Sequence, residues 1–316
     1  IAEVHLKESK PMPAKITIVG SLNYDLIASA PRLPAPGETI IGGPFQTAPG
    51  GKGANQAVAA ARLGAQVRMV GRVGDDSYGR AELDSLAAAG VDTTFIQIDP
   101  DAHTGVGLIY LDEAGQNSIV VCPGANWTMR AIDVDAAVAA IAGADMLLLQ
   151  LENQPEVVER AAELAGQRGV PVVLNPAPAR PLSAELLARV DYLVPNESET
   201  ALLTGQPVTG LDSAQTASEA LRRRGVDAVV LTLGAQGAFL NNAGQMAHIP
   251  AFRVTPVDTT AAGDAFVAGL AVAIASDRPL PAAVRFANAA GALATTALGA
   301  QPSLPTLEAV EQLLQP

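Results

Sequence analysis

The stretch "VPVVLNPAPARPLSAELLARVDYLVPNESE", Val170–Glu199, decides the fold. "VPVVLNPAP" is a compact apolar run that ends in Asn and Pro. "SAELLARV" then reads as a helical window, and "VDYLVPNE" is a second apolar run with a polar end. The same alternation recurs along the chain. "KITIVGSL" (Lys15–Leu22), "QVRMVGRVG", "DMLLLQLE" and "VDAVVLTLG" read as strands. "NQAVAAARLG" (Asn55–Gly64), "SYGRAELDSLAAAG", "PEVVERAAELAGQRG" and "DSAQTASEALRRRG" read as helices, each closed by Gly. Near-continuous apolar strands alternating with helices predict an α/β fold, a mostly parallel sheet with helices on both faces. Ligands of open α/β sheets bind beyond the carboxyl ends of the strands. The polar residues Asn23, Asp25, Glu152, Asn175, Asn196, Thr232 and Gly234 fall at those ends. Strand ends need turn residues in any case, which accounts for Gly and Asn better than for Glu152.

Two segments break the pattern. Residues 25–51 and 104–122 read as hairpins of alternating strands, the second turned by "DEAGQN". Together they predict a small β-sheet outside the main one, able to close over a site as a lid or to pair with a second subunit. The chain is therefore expected to be one α/β domain over residues 14–316. The opening "IAEVHLKESKPMP", residues 1–13, lacks the apolar core of a signal peptide. It is read as a tag or disordered leader, with Met12 near the natural start.

Composition narrows the function. Of 316 residues, 49% are hydrophobic, which suits a globular chain. The net charge of −12 without a Lys/Arg block argues against nucleic acid, whose affinity rests on cationic contacts. It leaves room for a small anion such as ATP. The single cysteine, Cys122, excludes an internal disulfide and reads as a packed strand residue. Three His make a zinc site a poor expectation. With no run of about 20 apolar residues, no membrane span is expected, and the chain is placed in the cytoplasm.

Five motifs carry chemistry. In "GSLNYD", Asn23 and Asp25 share one face of an extended segment while Tyr24 points to the other. An amide and a carboxylate at that spacing can grip neighbouring sugar hydroxyls; an Asx turn is the plain alternative. "PGGKGANQAVAA" puts Lys52 and Asn55 at a helix start after paired glycines and has no Walker pattern, so a polyhydroxyl ligand suits it better than a triphosphate. "VPNESE" spaces Asn196 and Glu199 as a capping box would. They could equally bring Asn196 to nucleotide phosphate and Glu199 to a water on Mg²⁺. "LTLGAQGAF" offers Thr232, Gly234 and Gly237 to a nucleotide, although two glycines in a hairpin explain it equally well. Finally, "VDTTAAGDAF" (Val257–Phe266) places Asp264 at a predicted helix start. The N–H groups of Ala261, Ala262 and Gly263 would face an anion there. Asp264 would then accept the proton of a hydroxyl attacking phosphorus.

"GSLNYD", "PGGKGANQAVAAARLGA", "VGDDSYG", "LNPAPAR", "VPNESE", "LTLGAQGAF", "VDTTAAGDAFVAG" and "GAQPS" together resemble the ribokinase-like sugar kinases, in family order from Ala14 onward. The resemblance implies a Rossmann-like domain with a β lid, and homodimers that clasp through their lids. It implies ATP-dependent phosphorylation of the 5-hydroxyl of D-ribose. It adds Gly51 and Glu152 to Asn23, Asp25, Lys52 and Asn55 as sugar ligands, and Asn288 to the nucleotide set. It further implies an activating K⁺ near Asp258, Thr260, Ala294, Ala297, Gly299 and Ser303, several acting through backbone carbonyls. Two positions depart from the family pattern. Tyr24 is larger than usual and, if the segment is not regularly extended, could crowd the sugar, and Asn288 stands where relatives often carry His. The competing readings are a kinase of the same fold acting on another sugar or nucleoside, such as 2-deoxyribose, and a non-catalytic sugar sensor. A Rossmann dehydrogenase is disfavoured because no GxGxxG follows the first strand.

Overall fold

Met146–Leu149 and Val172–Leu174 are buried at every position, the signature of strands covered on both faces. They lie inside a nine-stranded sheet in this computed structural model, which describes residues 12–113 and 117–315. The leader expectation falls almost wholly outside those residues, as does the centre of the "DEAGQN" turn.

Across the sheet the order is Gln245–Ile249, Ala238–Asn242, Ala228–Thr232, Tyr192–Leu193, Val172–Leu174, Met146–Leu149, Lys15–Val19, Gln66–Gly74 and Asp92–Asp99. All pairings are parallel except the two made by Ala238–Asn242, which close one edge as an antiparallel hairpin. Successive side chains of a strand face opposite sides, and two apolar cores result. Met146 and Leu148 belong to one, together with the helices Lys52–Arg62, Ala262–Ala275 and Leu280–Ala294. Leu147 and Leu149 belong to the other, under Pro155–Arg168 and Leu211–Arg222. The α/β expectation with helices on both faces is met.

The two irregular segments form a separate four-stranded sheet. Asn23–Ser29 and Phe45–Gly50 pair antiparallel, as do Gly105–Leu111 and Asn117–Cys122. The two hairpins join through parallel pairing of Asn23–Ser29 with Gly105–Leu111, a link the sequence pattern does not reveal. Lys15–Val19 is flanked on both sides by strands that come later in the chain. The crevice at its carboxyl end, where the chain passes into the small sheet, is the topological switch point of the fold.

Leu148 is fully buried in the middle of this sheet. Leu148→Ala is expected to lower unfolding free energy by about 2–5 kcal/mol in urea titrations. A loss below about 1 kcal/mol would mean that the strand is not packed on both sides.

Candidate active site

Two helices begin at the crevice without a side-chain cap. Lys52–Arg62 starts at Gly51, whose φ of 84° is left-handed. A Cβ there would lie 2.6 Å from the Asn23 nitrogen, so only glycine brings the two segments this close. The free N–H groups of that helix are taken by distant partners: Lys52 N donates to Glu152 Oε2 at 3.1 Å, and Gly53 N to Ser21 Oγ at 3.3 Å. Ala262–Ala275 starts at Ala261, which is also left-handed at φ 58°. Ala262 N donates to Thr259 O at a long 3.3 Å, while among the described residues the N–H groups of Ala261 and Gly263 have no acceptor. They remain available to an anion. A Cβ on Gly263 would meet nothing within 4 Å, so the space beside it is open.

Asp264, in the first turn of this second helix, is 7% exposed. Its Oδ2 accepts from Asn55 Nδ2 and its Oδ1 from Gln56 Nε2, both at 3.0 Å. Burial raises its pKa, an effect that Lys52 and the two amides oppose and Glu152 reinforces. Two cavities of about 220 Å³ each meet at this carboxylate. Lys52, Thr259, Ala261 and Asp264 line both.

The first cavity is also lined by Asn196, Glu199, Thr232 and Gly263. Asn196 and Glu199 do form a capping box: Glu199 N donates to Asn196 Oδ1, and Asn196 N to Glu199 Oε2, each at 2.8 Å. The cap and the cavity wall are the same two side chains, so neither reading of "VPNESE" displaces the other. Burial pushes the Glu199 carboxyl up, while the Asn196 N–H and Lys52 pull it back.

The second cavity holds Asn23, Asp25, Gly51, Asn55 and Glu152, and is walled by Ile109, Ile119 and Val121 of the small sheet. Among the described residues, no donor reaches the Asp25 carboxylate. Its oxygens lie against Gly50 and Gly107, where any Cβ would come within 2.4 Å of them. Burial and the nearby Glu152 and Asp264 raise its pKa to about 7, against the pull of Lys52. Asn23 Oδ1 accepts from Asn126 Nδ2 at 2.8 Å, which aims the Asn23 amide. Glu152 Oε2 accepts from Ser21 Oγ at 2.5 Å and from Asn23 Nδ2 at 3.3 Å as well as from Lys52 N, bracing this corner. Glu82, fully buried, accepts from Gly50 N at 2.9 Å and anchors the glycine loop from below. Tyr24 stacks on Tyr78 with ring centroids 4.7 Å apart. It lines neither cavity and does not crowd the second.

Gly234, Gly237 and Asn288 line neither cavity. Asn288 Nδ2 donates to Ile249 O and Pro250 O, and Gly237 packs on the same two residues. Of the residues expected near a monovalent cation, Asp258 accepts from Thr260 N, Thr260 Oγ1 and Gly299 N, which draws those three together. These bonds hold its carboxyl below the usual range in spite of its burial. Ser303 Oγ is turned onto Ala300 O. Sequence reasoning missed Gln56, Asn126, Gln150, Glu82 and the isoleucines of the cavity wall. Gln56 and Gln150 carry one sequence signal, a polar residue inside or at the end of an apolar run, as in "NQAVAAA" and "MLLLQL".

Asp25 makes the protein's stability depend on pH. Its folded pKa of about 7 lies above the 3.8 of an ordinary aspartate, so the native state binds this proton more tightly than the unfolded chain. The stabilisation it gives is complete below about pH 4 and is lost as pH rises through about 7. In thermal melts without ligand, Asp25→Asn should match the parent near pH 4 and exceed it above pH 7. A parent more stable than the variant at pH 8 would contradict this electrostatic picture.

Residues 13–307 match the model of the pfkB family of carbohydrate kinases. The ribokinase of Haemophilus influenzae is 43% identical over 304 residues, spanning 96% of this chain and 99% of its own. The deoxyribokinase of Salmonella typhi is 37% identical over 300 residues, spanning 95% and 98%. Arabidopsis thaliana ribokinase, solved in complex with ribose and ATP, superposes with a TM-score of 0.91 at 34% identity, covering 96% of this chain and 99% of its own. A family model matched over nearly the whole chain, on a fold shared with these enzymes, settles the affiliation: the chain belongs to the pfkB family of carbohydrate kinases.

Proposed function

We propose that this enzyme transfers the terminal phosphoryl group of ATP to the 5-hydroxyl of D-ribose, with Asp264 as general base. One observation carries the reading: Asp264 sits in the wall common to two cavities with different sets of polar groups. On one side an unpartnered carboxylate, Asp25, waits beside Asn23 and Asn55, a set that suits vicinal hydroxyls. On the other, Lys52 and the free N–H groups of Ala261 and Gly263 suit phosphate oxygens. The sugar hydroxyl gives its proton to Asp264 as its oxygen attacks phosphorus. The bond to the leaving oxygen breaks, ADP departs, and Lys52 with the helix N-terminus stabilises the charge on the transferred group. Two ribokinases are 43% and 44% identical to this chain, and this favours ribose as acceptor. The deoxyribokinase relative keeps 2-deoxyribose as the second reading.

Lys52 faces Asp264, Glu152, Glu199 and Asp25. Such a site repels a bare triphosphate, so Mg²⁺ is expected with the nucleotide, and the Glu199 carboxylate in the first cavity fits a water on a hard cation. The metal would neutralise phosphate charge. For K⁺, the ionised Asp258 and the turn it closes with Thr260 and Gly299 fit a cation bound mainly by main-chain oxygens. The small sheet is proposed as a lid over the sugar. Its other face carries Leu108 and Val120 in register and 44% and 61% exposed, with Phe45 at 65%, an apolar surface suited to a second copy of the chain. Use of ATP fits a cytoplasmic setting.

Asp264→Asn should lower kcat by at least about 10²–10⁴-fold and leave the ribose Kd, read by calorimetry, nearly unchanged. Near-parental turnover would remove Asp264 from the mechanism. In an ADP-release assay over pentoses, hexoses and nucleosides, ribose should give the highest kcat/KM. A clear preference for 2-deoxyribose would establish the second reading instead.

A further inference from the structure

Gln56 is fully buried on the helix Lys52–Arg62, in a stretch where every neighbour from Gly53 to Ala60 is buried as well. A buried primary amide is costly unless its donors and acceptor are met. Here they are met in one orientation. Gln56 Oε1 accepts from Gln150 Nε2 at 2.6 Å. Gln56 Nε2 donates to Asp264 Oδ1 at 3.0 Å and reaches Asn175 Oδ1 at 3.4 Å. Asn175 is itself oriented by a main-chain group, since its Nδ2 donates to Val194 O at 3.1 Å. A carbonyl cannot donate, so the polarity is fixed from Val194 through Asn175 to Gln56, and the NH₂ end of Gln56 must face the carboxylate. Room for this network is built in. A Cβ on Gly20 would lie 2.1 Å from Gln150 Oε1.

We propose that Gln56 is a positioning residue for phosphoryl transfer: its amide, locked by Gln150 and Asn175, holds the Asp264 carboxylate in the wall between the two cavities and aims it at the acceptor hydroxyl. The inference rests on Asp264 being the base. Asn55 occupies the other carboxylate oxygen and also lines the sugar cavity, so its hydrogen bonds are open to change when a sugar binds. Gln56 lines neither cavity and keeps its grip whatever the ligand. Because Asn175 lines the nucleotide-side cavity, the network also joins that wall to the base. The charged groups that face Asp264 are Lys52 and Glu152, with Asp25 and Glu199 beyond. Against that background of acids, the two amides and Lys52 are what favour its ionised form.

The test is Gln56→Met, which keeps the length and loses the donor, studied in the full chain with ribose and MgATP. We expect a cooperative urea transition and a ribose Kd within about threefold of the parent. We expect kcat at pH 7 to fall roughly 10- to 100-fold, part of the ~10²–10⁴ that a general base supplies. The acid limb of the kcat–pH profile should move up by about one unit. A residue that only fills the core would lower stability and leave that limb in place, so a superimposable pH profile overturns the proposal. Should Gln56→Met not fold, Gln150→Met leaves Gln56 held by Asn175 alone, and must shift the limb in the same direction by a smaller amount. An unmoved profile in that variant overturns the proposal equally. Asp264→Asn in the same assay separates the two readings. If it is dead while Gln56→Met is normal, only the role of Gln56 fails; if it turns over normally, the base assignment itself has failed.

Discussion

The site depends on one ammonium group set among four carboxylates. Lys52 loses hydration on burial, yet Asp264, Glu152, Glu199 and Asp25 together raise its pKa above the usual lysine value. Buried charges of one sign survive only when partners and hydrogen bonds offset the loss of water. Each acid solves this differently. Asp264 takes two amides, Glu199 a capping box, and Glu152 a hydroxyl, an amide and a main-chain N–H on one oxygen. Asp25 alone has no donor, and its raised pKa records the deficit. On the proposed reading, a ligand rich in hydroxyl groups would supply what Asp25 lacks, and a phosphate would occupy the uncapped helix start at Ala261.

The fold serves that arrangement. The chain leaves the central strand Lys15–Val19 at the switch point, delivers Ser21 and Asn23, and returns through the glycine loop to start a helix at Lys52. The helix Ala262–Ala275, more than two hundred residues later, packs beside it and brings Asp264 within reach of Asn55 and Gln56. Backbone approach this close needs small residues, which is why "GGKGAN" and "AAGD" are nearly free of bulk.

Much of this was legible in the sequence. Apolar runs separated by helical windows dictate a parallel sheet, and the polar residues at the ends of those runs converge in the crevice. Asn23, Asp25, Lys52, Asn55, Glu152, Asn196, Glu199, Thr232 and Asp264 all line one cavity or the other. What could not be read depends on contacts between distant segments. Gln56 looks like an ordinary helix residue until Asp264, 208 positions away, arrives beside it. Asn126 meets Asn23 over 103 positions. Ile109, Ile119 and Val121 alternate as any half-buried strand does, and only the parallel joining of two hairpins turns them toward the second cavity. Gly237 and Asn288 lie a step away, around Ile249 and Pro250, where the sequence offers no hint of their shared neighbour.

The most direct measurement is a crystal structure of the enzyme with ribose and a non-hydrolysable ATP analogue. The account places the ribose 5-oxygen within about 2.6–3.2 Å of an Asp264 carboxylate oxygen, in line with the terminal phosphorus, with Asp25 accepting from sugar hydroxyls and the phosphate over Ala261 and Gly263. A sugar bound with its 5-hydroxyl turned away from Asp264, or a terminal phosphate seated elsewhere than that helix start, would contradict it.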